Sequence, residues 1–126
     1  MGTVYYLAFG YTDQWFDRFL KGYTHVALIM SVQGGHIGME PMLRRCHISC
    51  GLEFDLSEWD EVLKVEVVST RVNRLIGLRF QTCATFVQYI MGISTGSYLC
   101  QTLYERLTNR VYTGVEVTKW NTQTNC

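Results

Sequence analysis

The chemistry of this chain is concentrated in one run, Phe80-Gln81-Thr82-Cys83-Ala84-Thr85-Phe86-Val87-Gln88-Tyr89-Ile90-Met91-Gly92. Phe86, Val87, Ile90 and Met91 recur at helical spacing from Cys83, with Thr82 as a suitable N-cap and Gly92 as a stop. The spacing therefore predicts a helix whose first turn holds Cys83. Unpaired backbone N–H groups and the positive end of the helix dipole favour a thiolate there, and a nearby imidazolium lowers the thiol pKa further. The same N–H groups can stabilise an oxyanion. The competing role for any free cysteine is that of a small buried hydrophobe, and a histidine within reach separates the two.

A cysteine nucleophile needs a base, and the base needs a third polar group to fix its tautomer. His25 is the best placed of the three histidines, in the middle of a strand over Thr24 to Val32 on a sheet that packs against the Cys83 helix. His36 lies by a turn, and His47 in a segment of no clear pattern. If Gln33 and Gly34 form a two-residue turn, Val32 faces Gly35 and Glu40 lies opposite Ala27, a diagonal neighbour of His25. A turn centred on Gly34 and Gly35 sets Glu40 opposite Ile29 instead and leaves His36 as the reserve third member. The backbone N–H of Cys83 is the leading oxyanion donor, with Thr82 and Gln81 as helpers. A rival constellation, Cys46-His47-x-x-Cys50 with His36 upstream, offers ligands that zinc accepts, but it has no matching second half. No metal and no cofactor is expected. Phosphate-loop, GxSxG and HExxH motifs are absent from the sequence.

These residues must be positioned by the elements around them. Thr3 to Phe9 is aromatic and β-prone and predicts a buried strand. Thr12 to Gly22 predicts a short helix with Trp15, Phe16, Phe19 and Leu20 as its apolar face. His36 to Met42 returns beside the His25 strand as a hairpin, with Pro41 near the end of that arm because it cannot donate to a ladder. Residues 43 to 58 show no clear pattern and are expected to include loop. Glu61 to Ser69 alternates, with Leu63, Val65 and Val67 on one side and Lys64 and Glu66 on the other. Arg71 to Arg79 leads into the Cys83 helix. A last helix is expected over Ser97 to Thr108, where Leu99, Leu103 and Leu107 recur, then a strand over Val111 to Trp120 and a polar tail over 121–126.

Composition bounds the class. With 126 residues, nearly half of them apolar, the chain fits one domain, residues 1–126, with a core that needs no staple. Eleven basic and eleven acidic residues cancel, and the absence of a dense basic run argues against nucleic acid as a partner. No uninterrupted apolar stretch is long enough for a membrane span, and the N-terminus lacks the pattern of a secretion signal, so a cytoplasmic protein is expected. Five cysteines without repeated spacing fit reduced thiols better than a disulfide framework.

The order of motifs resembles a known family. Tyr23-Thr24-His25-Val26-Ala27-Leu28-Ile29, then Gly38-Met39-Glu40-Pro41, then Thr82-Cys83-Ala84-Thr85-Phe86-Val87 closing at Met91-Gly92-Ile93 is similar to the circularly permuted NlpC/P60 branch of papain-like cysteine hydrolases, in which His precedes Cys. The likeness covers about residues 3–107 and is closest to small tailed-phage members. Ser97-Tyr98 stands where those relatives often carry Thr-Pro. The resemblance implies an α+β fold, an antiparallel sheet with the Cys-bearing helix packed against it, and Cys83, His25 and Glu40 as nucleophile, base and orienting residue. It implies a cysteine-dependent hydrolase or acyltransferase acting on an amide or ester, the substrate a peptide, a peptidoglycan stem or another acyl group, in the host cell of a phage or in its virion. The alternative is a non-catalytic interaction module on the same fold.

Overall fold

The structure, a computed structural model, describes residues 3–11, 22–32, 35–42, 45–51, 59–68, 82–93, 95–112 and 114–120. The strands are β1 (Thr3–Gly10), β2 (His25–Val32), β3 (Gly35–Met42), β4 (Arg45–Gly51), β5 (Glu61–Val67) and β6 (Val115–Trp120), and the helices are α1 (Cys83–Met91) and α2 (Cys100–Asn109). The strands form one antiparallel sheet in the order β4-β3-β2-β1-β5-β6. The sequence expectations for Thr12 to Leu20, Arg71 to Arg79, Gln81 and the tail lie outside the described residues.

Both faces of the sheet carry apolar side chains, as alternation along buried strands requires. On one face Leu7, Phe9, Val26, Leu28, Leu63, Val65 and Val67 pack with Ala84, Val87 and Met91 of α1 and Leu103 and Leu107 of α2. On the other, Ala8, Ile29 and Val62 cluster with Tyr6, Trp59 and Trp120. Lys64 and Glu66 are half-buried between the fully buried Leu63, Val65 and Val67. Among the described residues no helix is long and apolar enough to cross a membrane.

The β2–β3 hairpin has the rung Val32↔Gly35 and runs to Leu28↔Met39, which is the register of the two-residue turn. Its rungs stop two residues short of Pro41, which lacks an N–H to extend them.

Three boundaries differ from the sequence reading. Arg45–Gly51 is a strand in a segment whose own pattern points to no element, because it finds a partner: it pairs with β3 along its whole length, from Met42↔Arg45 to His36↔Gly51. The last helix begins at Cys100 rather than Ser97, since Ser97 and Thr95 are drawn onto the buried Gln88 side chain instead. The last strand begins at Val115, after Gly114 turns the chain in the left-handed region (φ 76°) that favours glycine.

Candidate active site

Cys83 is the first residue of α1, and local hydrogen bonding sets that start. Thr82 is the N-cap, in extended conformation, and it forms a capping box with Thr85. The Thr85 N–H donates to Thr82 Oγ1 at 3.2 Å and the Thr82 N–H to Thr85 Oγ1 at 2.8 Å. Gly92 closes the helix in the left-handed region with its N–H on the carbonyls of Gln88 and Tyr89. With Thr82 and Thr85 satisfied by each other, the N–H groups of Cys83 and Ala84 remain as the first-turn donors without an intrahelical acceptor. The Thr82 N–H, offered by the sequence as a helper at an oxyanion, is occupied by the cap.

The helix buries Ala84, Thr85, Val87, Gln88 and Met91. Phe86 and Ile90, which recur with Val87 and Met91 in the apolar pattern of the helix, are only partly buried and flank that face. The reason is the amide of Gln88. It donates to the carbonyls of Ala84 and Ser97 and accepts from both N–H and hydroxyl of Thr95, so a polar side chain holds the centre of the buried face.

The Cys83 sulfur lies 3.0 Å from Cys100 Sγ and 3.8 Å from the Thr24 carbonyl oxygen, and it interacts electrostatically with the His25 ring and the Val26 backbone. Its pKa falls to about 5. The largest cause is the Cys100 thiol bonded to the sulfur; burial opposes it, and the hydrogen bonds from His25 and Val26 and the His25 charge assist it.

His25 opens β2 on the rung Gly10↔His25, at the end of the sheet and not in mid-strand as the sequence reading had it. That position lets one ring meet groups from both sides of the sheet. Nε2–H donates to Glu40 Oε1 at 2.9 Å, which leaves Nδ1 as the ring nitrogen for the sulfur. Burial alone would push the ring toward its neutral form. The hydrogen bonds to Cys83 and Glu40 and the charge on each outweigh it, so the His25 pKa rises above its ordinary value. Glu40 reaches the ring from β3, with its side chain 38% exposed against 8% for His25.

Two further contacts hold this end of the sheet. Trp59 stacks on His25 with ring centroids 5.7 Å apart and planes 24° apart, and it lies so close over Gly10 that a Cβ there would come within 3.1 Å of the indole. Gln101 of α2 accepts the Tyr23 N–H at 2.9 Å, two residues before His25, and its side chain fills the space where any Cβ on Gly22 would stand. Gly22 is also in the left-handed region, at φ 79°.

The structure thus brings Cys83, His25 and Glu40 together. His36 lies at the other end of the hairpin, opposite Ser31, with Nδ1 3.3 Å from Ser31 Oγ, and takes no part. His47 is the β4 register partner of Glu40. Among the described residues no group of His, Cys, Asp or Glu is arranged to hold a metal. Sequence reasoning missed Cys100, Trp59 and Gln101. Cys100 alone carried a usable signal, since it too falls near an expected helix start. Comparison of the chain with protein-family models, with curated proteins and with solved structures finds no match.

What the arrangement can do is nucleophilic chemistry. A thiolate is held beside a protonated imidazole, itself fixed by a carboxylate, with two helix N–H groups at the sulfur's own turn.

Proposed function

We propose that the chain is a cysteine-dependent hydrolase or acyltransferase of the permuted papain-like, NlpC/P60 type, acting on an amide or ester. The observation that carries this reading is His25 held between Glu40 and the lowered-pKa thiol of Cys83. It is supported by the chain order His, Glu, Cys, in which the base precedes the nucleophile.

The steps follow from the groups. The Cys83 thiolate attacks the substrate carbonyl carbon, and the oxygen that gains the charge turns to the N–H groups of Cys83 and Ala84. The His25 imidazolium gives its Nδ1 proton to the leaving nitrogen or oxygen as the bond breaks, and a thioester on Cys83 remains. Water or an amine then attacks the thioester while neutral His25 takes its proton, and the acyl product departs as the thiolate returns. Glu40 keeps Nε2 protonated throughout and so keeps Nδ1 aimed at the reacting atoms.

The test is a panel of p-nitrophenyl esters, peptide amides and peptidoglycan stem peptides, read both by turnover and by the intact mass of the protein. The expected result is a transient acyl adduct on Cys83, and turnover that disappears in Cys83→Ala. A folded protein that acquires no adduct from any of them overturns the reading in favour of a non-catalytic module.

A further inference from the structure

Acyl transfer needs one sulfur, yet two meet at this site. Cys83 opens α1 and Cys100 opens α2, and their Sγ atoms lie 3.0 Å apart. A disulfide bond is about 2.05 Å, so a movement of about 1 Å would join them. Neither residue is in a disulfide. Each occupies the first turn of its helix, where the dipole and unpaired N–H groups favour the thiolate that thiol chemistry requires. Their exposure differs in a useful way: Cys83 is partly accessible, while Cys100 is 4% exposed and stands behind it. An oxidant from solution meets Cys83 first and finds Cys100 already in place.

We propose that Cys83 and Cys100 are a dithiol pair that a hydroperoxide converts to an intramolecular disulfide, with Cys83 as the attacking and Cys100 as the resolving cysteine. The Cys83 thiolate attacks one peroxide oxygen, the O–O bond breaks, and the departing hydroxide or alkoxide takes a proton from water, leaving a sulfenic acid on Cys83. Cys100 then gives up its thiol proton and attacks the Cys83 sulfur. The S–O bond breaks, and the hydroxide leaves with that proton as water. Two electrons pass from the sulfur pair to the peroxide, one from each cysteine. A small dithiol reverses the change by two thiol-disulfide exchanges and is itself oxidised. Closure removes the thiolate from service and protects Cys83 from further, irreversible oxidation. The disulfide chemistry rests on the sulfur pair; only its consequence, a reversible arrest of acyl transfer, rests on the function proposed above.

The experiment treats the full chain with stoichiometric hydrogen peroxide and follows it by intact mass, by non-reducing peptide mapping and by iodoacetamide labelling. The expected product has lost two hydrogens, carries a Cys83–Cys100 cross-link, no longer labels at Cys83, and recovers labelling in dithiothreitol. Cys100→Ala and Cys100→Ser should instead add one oxygen to Cys83 with the first equivalent and a second when further peroxide is supplied, after which dithiothreitol no longer restores labelling. Wild-type protein that accumulates the doubly oxidised Cys83, or cross-links Cys83 to another cysteine, overturns the proposal. If both Cys100 variants fail to fold, as circular dichroism would show, the wild-type map alone decides. A protein that closes the disulfide but forms no acyl adduct overturns the hydrolase reading and leaves this one standing, and the converse result does the opposite.

Discussion

A thiol beside an imidazole is most useful over the pH interval in which the sulfur has lost its proton and the ring has kept one. For Cys83 that interval opens at about pH 5, and for His25 it closes above the ~6.5 of free imidazole, because its pKa is raised. At pH 6 a free thiol of pKa ~8.5 is ionised to roughly one part in 300, whereas Cys83 is mostly thiolate. Iodoacetamide labelling of Cys83 should therefore hold its rate down to about pH 5, while free cysteine in the same buffer falls away tenfold per unit. Cys100→Ala should move that acid limb upward, since the Cys100 hydrogen bond is the largest single cause of the lowered pKa, and His25→Ala should move it the same way by removing both a hydrogen bond and a charge. An unmoved limb in Cys100→Ala would show that the neighbouring sulfur does not hold the charge. Glu40→Gln replaces a charge that favours the imidazolium with a neutral amide, so the His25 pKa should fall and the upper limb of the pH–rate profile should shift to lower pH. Loss of turnover in His25→Ala should be about 10²–10⁴-fold, and Glu40→Gln should cost less.

At the scale of elements, α1 is anchored at both ends of its buried face by polar groups. Thr82→Ala removes the cap and is expected to cost about 1 kcal/mol in urea unfolding. Gln88→Leu keeps the bulk but strands the Thr95 N–H and the Ser97 carbonyl, which Gln88 now satisfies in a buried site. The expected cost is about 3 kcal/mol, from two unpaired buried groups. Phe86→Ala, by contrast, should cost less than the ~3–5 kcal/mol of a fully buried ring, because Phe86 flanks the core. If the order of Phe86→Ala and Gln88→Leu were reversed, the buried face of α1 would be centred elsewhere. Gln88 also ties α1 to the segment before α2, so it fixes the distance between the two helix starts and with it the two sulfurs.

Across the whole molecule the site is a long-range construction. β1 lies between β2 and β5, so residues 3–10 must find both 25–30 and 61–67 before the centre of the sheet exists. Pairing at such separations closes large loops and makes folding slower than helix formation alone. Leu63 is fully buried in the centre of that sheet, against the core shared by both helices. Leu63→Ala should lower stability by about 2–5 kcal/mol without changing the denaturant slope. In the folded population Cys83 should keep its acid labelling limb, because Leu63 is not among the groups that set the Cys83 pKa. A shifted limb in folded Leu63→Ala would mean that the core and the site are coupled more tightly than the contacts imply.

What the sequence by itself determined is what short-range rules govern. Thr82, Cys83 and Gly92 are cap, first residue and stop of one helix, because capping and periodicity act within a few residues. Turn geometry allowed two registers for the hairpin, and the pairing Val32↔Gly35 is the one of them that carries the Glu40 carboxylate to the His25 ring. The rest was decided by packing. Arg45–Gly51 is a strand by virtue of its partner β3, not of its own pattern, since pairing outweighs weak propensity. Trp59 lies on His25 and Cys100 on Cys83, and no local rule relates residues so far apart in sequence. They meet because β1 pairs with β2 on one side and β5 on the other, which brings His25 and Trp59 together at its Gly10 end, and because the helices share one face of the sheet, with Gln88 holding the chain between them. Position along the chain determined that Cys83 opens a helix; only the tertiary structure decided that a second sulfur would stand beside it.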